Sequence, residues 1–313
     1  MLLTALALAV LAVALAWPVP LLLASARWPS RAPGTALLLW QAIAIAGGLS
    51  MIGALLCLGL APFGDDLLRA ALALPDALAA HGPAAFGAGG PGIGRAVALV
   101  AAAALTVYLL AHLVRTIVLA SRQRRRHRDL LALLTSPHPT RDATRVLDDA
   151  APIAYCLPRG LGSTTVLSRG LIETLDGDEL AGVVAHERAH LDERHDIVRL
   201  AFRAWRSALP WFPIAAVADD QIARLVEYLA DDRARASVDR AALARAIGLV
   251  VPTLPGEPGA GGVAELAASR QRRLLHPAGM SGGARWAIRL GAVALVAAPT
   301  AWLLTPALGS IAG

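Results

Sequence analysis

Four apolar stretches constrain this chain more than any other feature. They cover residues 2–24, 36–62, 96–120 and about 286–306, and about 20 apolar residues in a helix suffice to cross the hydrocarbon of a bilayer. The first is interrupted by Trp17, Pro18 and Pro20, and the last contains Pro299 and ends at Pro306. A buried core helix is the alternative for any one of them. Together they raise the hydrophobic share to 56% and the mean hydropathy to +0.57, beyond an ordinary soluble domain. The expected fold class is mostly α: a polytopic helical membrane protein of about four spans, with a chemical domain between the third and fourth.

The 29 basic residues are all Arg, and the net charge of +6 would suit a nucleic-acid binder. Placement argues otherwise. Arg122, Arg124, Arg125, Arg126 and Arg128 follow the third stretch, and Arg270, Arg272, Arg273 and Arg285 precede the fourth. Clusters beside spans mark the cytoplasmic side and attract anionic lipid, so the bilayer is the expected partner and no direct nucleic-acid binding is expected. The 25–35 loop carries Arg27 and Arg31 without an acid, whereas the 63–94 loop holds Asp65, Asp66 and Asp76 against Arg69. All three segments agree on a multi-pass protein with both termini outside and residues 121–285 in the cytoplasm. A competing reading places signal-peptide cleavage after Ala24-Ser25-Ala26. It would reverse the sidedness of the arginines, and Met1-Leu2-Leu3 lacks a basic start. The expected organisation is three spans in 1–120, a cytoplasmic domain at 121–285, and the fourth span with a short tail at 286–313. Cys57 lies in a span and Cys156 in the domain, so both are expected to remain thiols.

Within that domain stands His186-Glu187-Arg188-Ala189-His190, an H-E-x-x-H pattern. Chance produces it in roughly one chain in two hundred of this composition. On a helix the two imidazoles share a face one turn apart and can hold one Zn²⁺, while Glu187 can take a proton from a metal-bound water. Asp176 and Glu179 read as a capping box that starts this helix, which is expected to run over 177–196. A third ligand must come from elsewhere. A metzincin would place it at Asp196, with Gly where Glu193 stands, and His195 is out of phase. Glu227 and Asp231, four apart on an expected second helix, are better placed: one can ligate while the other holds a histidine ring through its free N–H.

The remaining elements are less marked. Ile153–Leu157 and Thr164–Leu167 read as two strands joined by a turn at 158–163. Thr135–Thr140, with Pro137 and Pro139, reads as a break. The 63–94 stretch reads as a loop with a flexible Gly-rich end. Trp211–Val217 reads as an interfacial or core segment, the Glu227 helix as starting near Asp219 or Asp220, 251–262 as a loop and 264–275 as a basic helix.

At these residues the chain resembles the gluzincin membrane peptidases, which join H-E-x-x-H to a downstream E-x-x-x-D. Arg194-His195-Asp196 and Trp211-Phe212-Pro213 are similar to segments of the β-lactam sensor-transducer (BlaR/MecR-type antirepressor) peptidases, and the likeness covers about residues 120–275. It implies an α+β zinc-peptidase domain in which His186, His190 and Glu227 are zinc ligands, Glu187 is the general base and Asp231 supports a ligand from behind. It does not extend to a penicillin-sensor domain: about seven residues follow the fourth stretch, and there is no Lys for a Ser-x-x-Lys motif. The expected function is an integral-membrane zinc metalloendopeptidase acting on a cytoplasmic or membrane-proximal protein, with a transcriptional repressor implied by the resemblance. The alternatives are a heat-shock HtpX-type or CAAX-type processing or quality-control protease and, from another class, a non-catalytic membrane signalling protein.

Overall fold

The computed structural model describes residues 1–138, 143–159, 162–250 and 260–309. Among them, four helical stretches are long and apolar enough to cross a membrane. The first is broken where its sequence breaks. Helix α1 (Leu2–Ala16) stops at Trp17, and α2 (Pro18–Ser25) restarts with proline in its first turn, where no N–H is needed. Helix α3 (Pro33–Leu60) follows.

The 63–94 stretch is more ordered than a loop. It holds helix α4 (Leu67–His81), whose start is capped by Asp66 accepting from the Arg69 N–H at 2.7 Å. Its glycines make a tight turn. Gly87 has φ of +102°, and a Cβ on Gly92 would meet the Gly87 carbonyl oxygen at 2.1 Å, so only glycine permits that approach. Helix α5 (Gly89–Leu134) then runs for 46 residues, through the arginines that follow the apolar run.

A four-stranded mixed sheet follows: β1 (Thr135–Pro137), β2 (Thr144–Leu147), β3 (Ala154–Arg159) and β4 (Gly162–Ser168), in the order β1-β2-β4-β3. β1 runs antiparallel to β2, β2 parallel to β4, and β4 antiparallel to β3. The two strands expected from sequence are β3 and β4. The break expected at 135–140 is in part β1, an edge strand, where a proline is tolerated. Residues 139–140 of the expected break, 160–161 of the expected turn, 251–259 of the expected loop and 310–313 of the expected tail lie outside the described residues.

Seven helices complete the described chain: α6 (Arg169–Thr174), α7 (Gly177–Asp192), α8 (His195–Ala208), α9 (Pro213–Ala234), α10 (Arg240–Val250), α11 (Ala260–Leu275) and α12 (Gly282–Gly309). Three boundaries depart from expectation. α7 ends at Asp192 rather than 196, because Arg194 takes the left-handed conformation at φ +51° and turns the chain into α8. α9 starts at Pro213 rather than near Asp219, because proline is preset for the first helical position. α11 starts at 260, four residues before the expected 264.

One core joins the membrane helices to the helices of the domain. Leu15, Leu23, Trp40 and Ile43 are buried against Phe202, Ile222, Leu225 and Val226, so α9 rests on α3. At one end of the bundle, the rings of Phe63 and Phe86 meet edge to face with centroids 5.2 Å apart. At the other, Arg273 Nε donates to the Ser30 carbonyl at 2.6 Å and Arg289 Nε to Thr35 Oγ1 at 3.3 Å. The turn between α2 and α3, the end of α11 and the start of α12 therefore share a side with α9.

Candidate metal centre

The capping box that opens α7 sets the phase of everything after it. Asp176 Oδ1 accepts from the N–H groups of Asp178 and Glu179 at 3.0 and 2.8 Å, and Glu179 Oε2 accepts from the Asp176 N–H at 3.1 Å. Ten residues into the helix, His186 and His190 stack along one face with their Nε2 atoms 3.1 Å apart. α9 crosses here and brings Glu227, with Oε2 at 3.3 Å from His186 Nε2 and Oε1 at 3.6 Å from His190 Nε2. Donors about 2.0–2.1 Å from one tetrahedral metal stand about 3.3–3.4 Å from each other. The three closest separations, in which Glu227 turns a different oxygen to each histidine, straddle that value, so two imidazoles and a carboxylate suit a Zn²⁺-sized ion as three of its ligands. One donor atom from each of these residues lies within 4.8 Å of the others.

Each histidine is also held from behind. Asp231, fully buried, accepts from His186 Nδ1 at 3.0 Å. His190 Nδ1 lies 3.1 Å from His195 Nδ1, and His195 Nε2 lies 3.1 Å from Glu193 Oε2. One assignment satisfies the whole chain: His195 donates to Glu193 and accepts from His190, leaving the His190 Nε2 lone pair for a metal. His195 is thus out of phase for ligation, as its spacing predicts. The left-handed Arg194 nevertheless carries it to the far side of His190, a role that spacing does not reveal.

Arg270 corrects the sequence reading more sharply. Taken as one of the arginines flanking the fourth span, it is largely buried at the site. Its Nε and Nη2 donate to Asp231 at 2.9 and 2.7 Å, and its Nη1 lies 3.2 Å from Glu227 Oε2. Arg273, one turn on, donates to the Tyr228 carbonyl at 3.1 Å and pairs with Asp232. The available signal was the acidic character of α9 itself: Glu227, Asp231 and Asp232 on a half-buried helix require counter-charges.

The charges of the protein's own side chains polarise the site strongly. Burial opposes a charge on His186, yet hydrogen bonds to Asp231 and Glu227 push its pKa up to about 9. Burial would raise Glu227, but hydrogen bonds from both histidines hold it well below the usual carboxylate range. Burial likewise opposes the Asp231 charge, and Arg270 and His186 overcome it and hold its pKa low. Glu187 goes the other way. Its burial outweighs the nearby His186 and His190 and pushes its carboxyl up, the direction a proton acceptor requires near neutral pH.

Residues 119–230 match the model of Peptidase family M48. The matched segment contains both histidines, Glu187 and Glu227 and ends one residue before Asp231. No curated protein and no solved structure matches the chain. The family match supports a gluzincin-type metallopeptidase domain, and with the four apolar helices it supports a membrane metallopeptidase.

Proposed function

We propose that the chain is an integral-membrane zinc endopeptidase in which His186, His190 and Glu227 hold the metal, Glu187 is the general base and Asp231 orients His186. The observation that carries this reading is the convergence of two Nε2 atoms and one carboxylate at 3.1, 3.3 and 3.6 Å. Zn²⁺ bound there would supply Lewis acidity and lower the pKa of a water towards about 7. Glu187 takes the proton of the attacking water on its carboxylate and returns it to the leaving amine. β3, an edge strand packed beside α7, offers backbone groups to which an extended peptide adds as a further strand.

The domain faces the cytoplasm in this reading, as the exposed Arg122, Arg124, Arg125 and Arg126 after the third span and Arg272 and Arg285 before the fourth imply. Its substrate is a protein at the inner membrane surface, and the likeness of Arg194-His195-Asp196 and Trp211-Phe212-Pro213 to the antirepressor peptidases favours a transcriptional repressor. The decisive variant is Glu187→Gln. It should retain zinc while proteolysis falls by about 100-fold or more, whereas Glu227→Ala should lose the metal. Retained cleavage in Glu187→Gln would refute the assignment of the base. Comparing protein fragments in wild-type and Glu187→Gln cells separates the substrate classes. A regulator that persists uncut in the mutant supports the regulatory reading, and accumulation of misfolded membrane proteins alone replaces it with quality control.

A further inference from the structure

Between α5 and α8 lies a cleft of about 760 Å³ whose charge the metal centre does not use. Arg124 and Arg125 of α5 and Arg199 and Arg203 of α8 line it, with Asp196 as its single acid. Arg124 pairs with Asp196. Among the described residues, Arg125, Arg199 and Arg203 have no carboxylate partner. Guanidinium groups gathered around one cavity repel one another unless an anion sits among them.

The surroundings say which anion. Tyr108 Oη donates to the Ala208 carbonyl at 2.6 Å, and the His112 ring meets Ser207 Oγ at 2.8 Å. α8 therefore runs antiparallel to α5. Its end lies beside the apolar run and its start beside Arg124, so the cleft opens where that run gives way to arginine. Immediately before it on α5, Val114, Ile117 and Val118 are exposed by 58%, 43% and 41%. A basic pocket adjoining an uncovered apolar helix face fits a molecule with both characters. We propose that this cleft binds the headgroup phosphate of an anionic glycerophospholipid, with its acyl chains along the exposed face of α5. An acidic peptide would leave that face uncovered, and a zwitterionic lipid would leave the arginines uncompensated.

The test is lipid retention by the full-length protein, measured by native mass spectrometry after release from phosphatidylcholine nanodiscs containing phosphatidylglycerol. Wild type should retain phosphatidylglycerol over phosphatidylcholine. Arg199→Gln with Arg203→Gln should weaken retention by about 30-fold for two lost charges, while Arg199→Lys with Arg203→Lys should keep most of it, separating charge from folding. The control is Arg122→Gln with Arg126→Gln, which removes the same charge from exposed positions outside the cleft and should weaken retention clearly less than the cleft pair does. Equal loss in the control pair, no loss in the cleft pair, or no preference for phosphatidylglycerol would overturn the proposal. So would displacement of the lipid by soluble glycerol phosphate or by an acidic peptide at similar concentration.

Discussion

His186 sits between Asp231, Glu227 and Arg270, and the balance among these charges sets how the site responds to pH and to metal. Its pKa is raised to about 9 from an unfolded value near 6.5. The stability that the imidazolium contributes to the metal-free protein is therefore fully present below about pH 6.5 and is lost as pH rises through about 9. Zinc must displace that proton, so its apparent affinity should rise by up to about tenfold per pH unit from neutrality towards 9, then level off. Chelator competition at pH 7, 8 and 9 measures this, and a flat profile would contradict the raised pKa. Arg270 gives a second expectation. Replacing it by Ala leaves Asp231 and Glu227 buried without their cation, a loss of about 3–5 kcal/mol for a buried pair. Thermal unfolding of Arg270→Ala should show a large deficit without zinc and a smaller one with it, because a dication takes over part of the compensation. Arg270→Lys should recover little, since an ammonium lacks the planar fork that bonds both oxygens of Asp231.

At the scale of the element, α7 owes its position to its first turn. Removing the cap with Asp176→Ala should cost about 1 kcal/mol, while Asp176→Asn should be nearly neutral because Asn caps as well as Asp. Denaturant titration in micelles distinguishes the two, and equal losses would mean that charge rather than capping matters at that position. The other end of α7 was less legible. Nothing in Glu193-Arg194 breaks a helix by propensity, and a non-glycine left-handed residue is costly. Here it carries His195 to His190 Nδ1, and that contact, absent from any local pattern, accompanies the turn. β1 and β2 were unforeseen for a simpler reason: strands of three and four residues are too short to show alternation.

At the scale of the molecule, the membrane helices brace the chemistry directly. Trp40 and Ile43 of α3 are packed in one core with Ile222, Leu225 and Val226 of α9, the last two within one turn of Glu227. The same arrangement bears on sidedness. Phe63 and Phe86 mark one end of the bundle, and the Arg273–Ser30 bond marks the other, beside α9. Reporter fusions after Gly87 and after Gly279 should therefore report opposite sides, outside and cytoplasmic. A phosphatase active only outside the cell, found working at Gly279, would reverse the proposed orientation.

Features contained within single helices are legible in the local pattern of residues. Span length and apolarity need no partner to be read. The phase of His186 and His190 is set by four residues of one helix, and the capping box that starts that helix spans four more. How distant segments meet depends on the packing of the folded chain. Spacing left Glu227 and Asp231 interchangeable. The crossing of α7 and α9 turns Glu227 towards both Nε2 atoms and Asp231 towards His186 Nδ1. Arg270 is 84 residues from His186 along the chain, and its charge looks the same in sequence whether it flanks a membrane or neutralises two buried carboxylates. The physical reason is common to these cases. Helical geometry repeats every few residues and is printed in the local pattern, whereas the pairing of buried charges depends on which helices pack together, and that is set by the shared core.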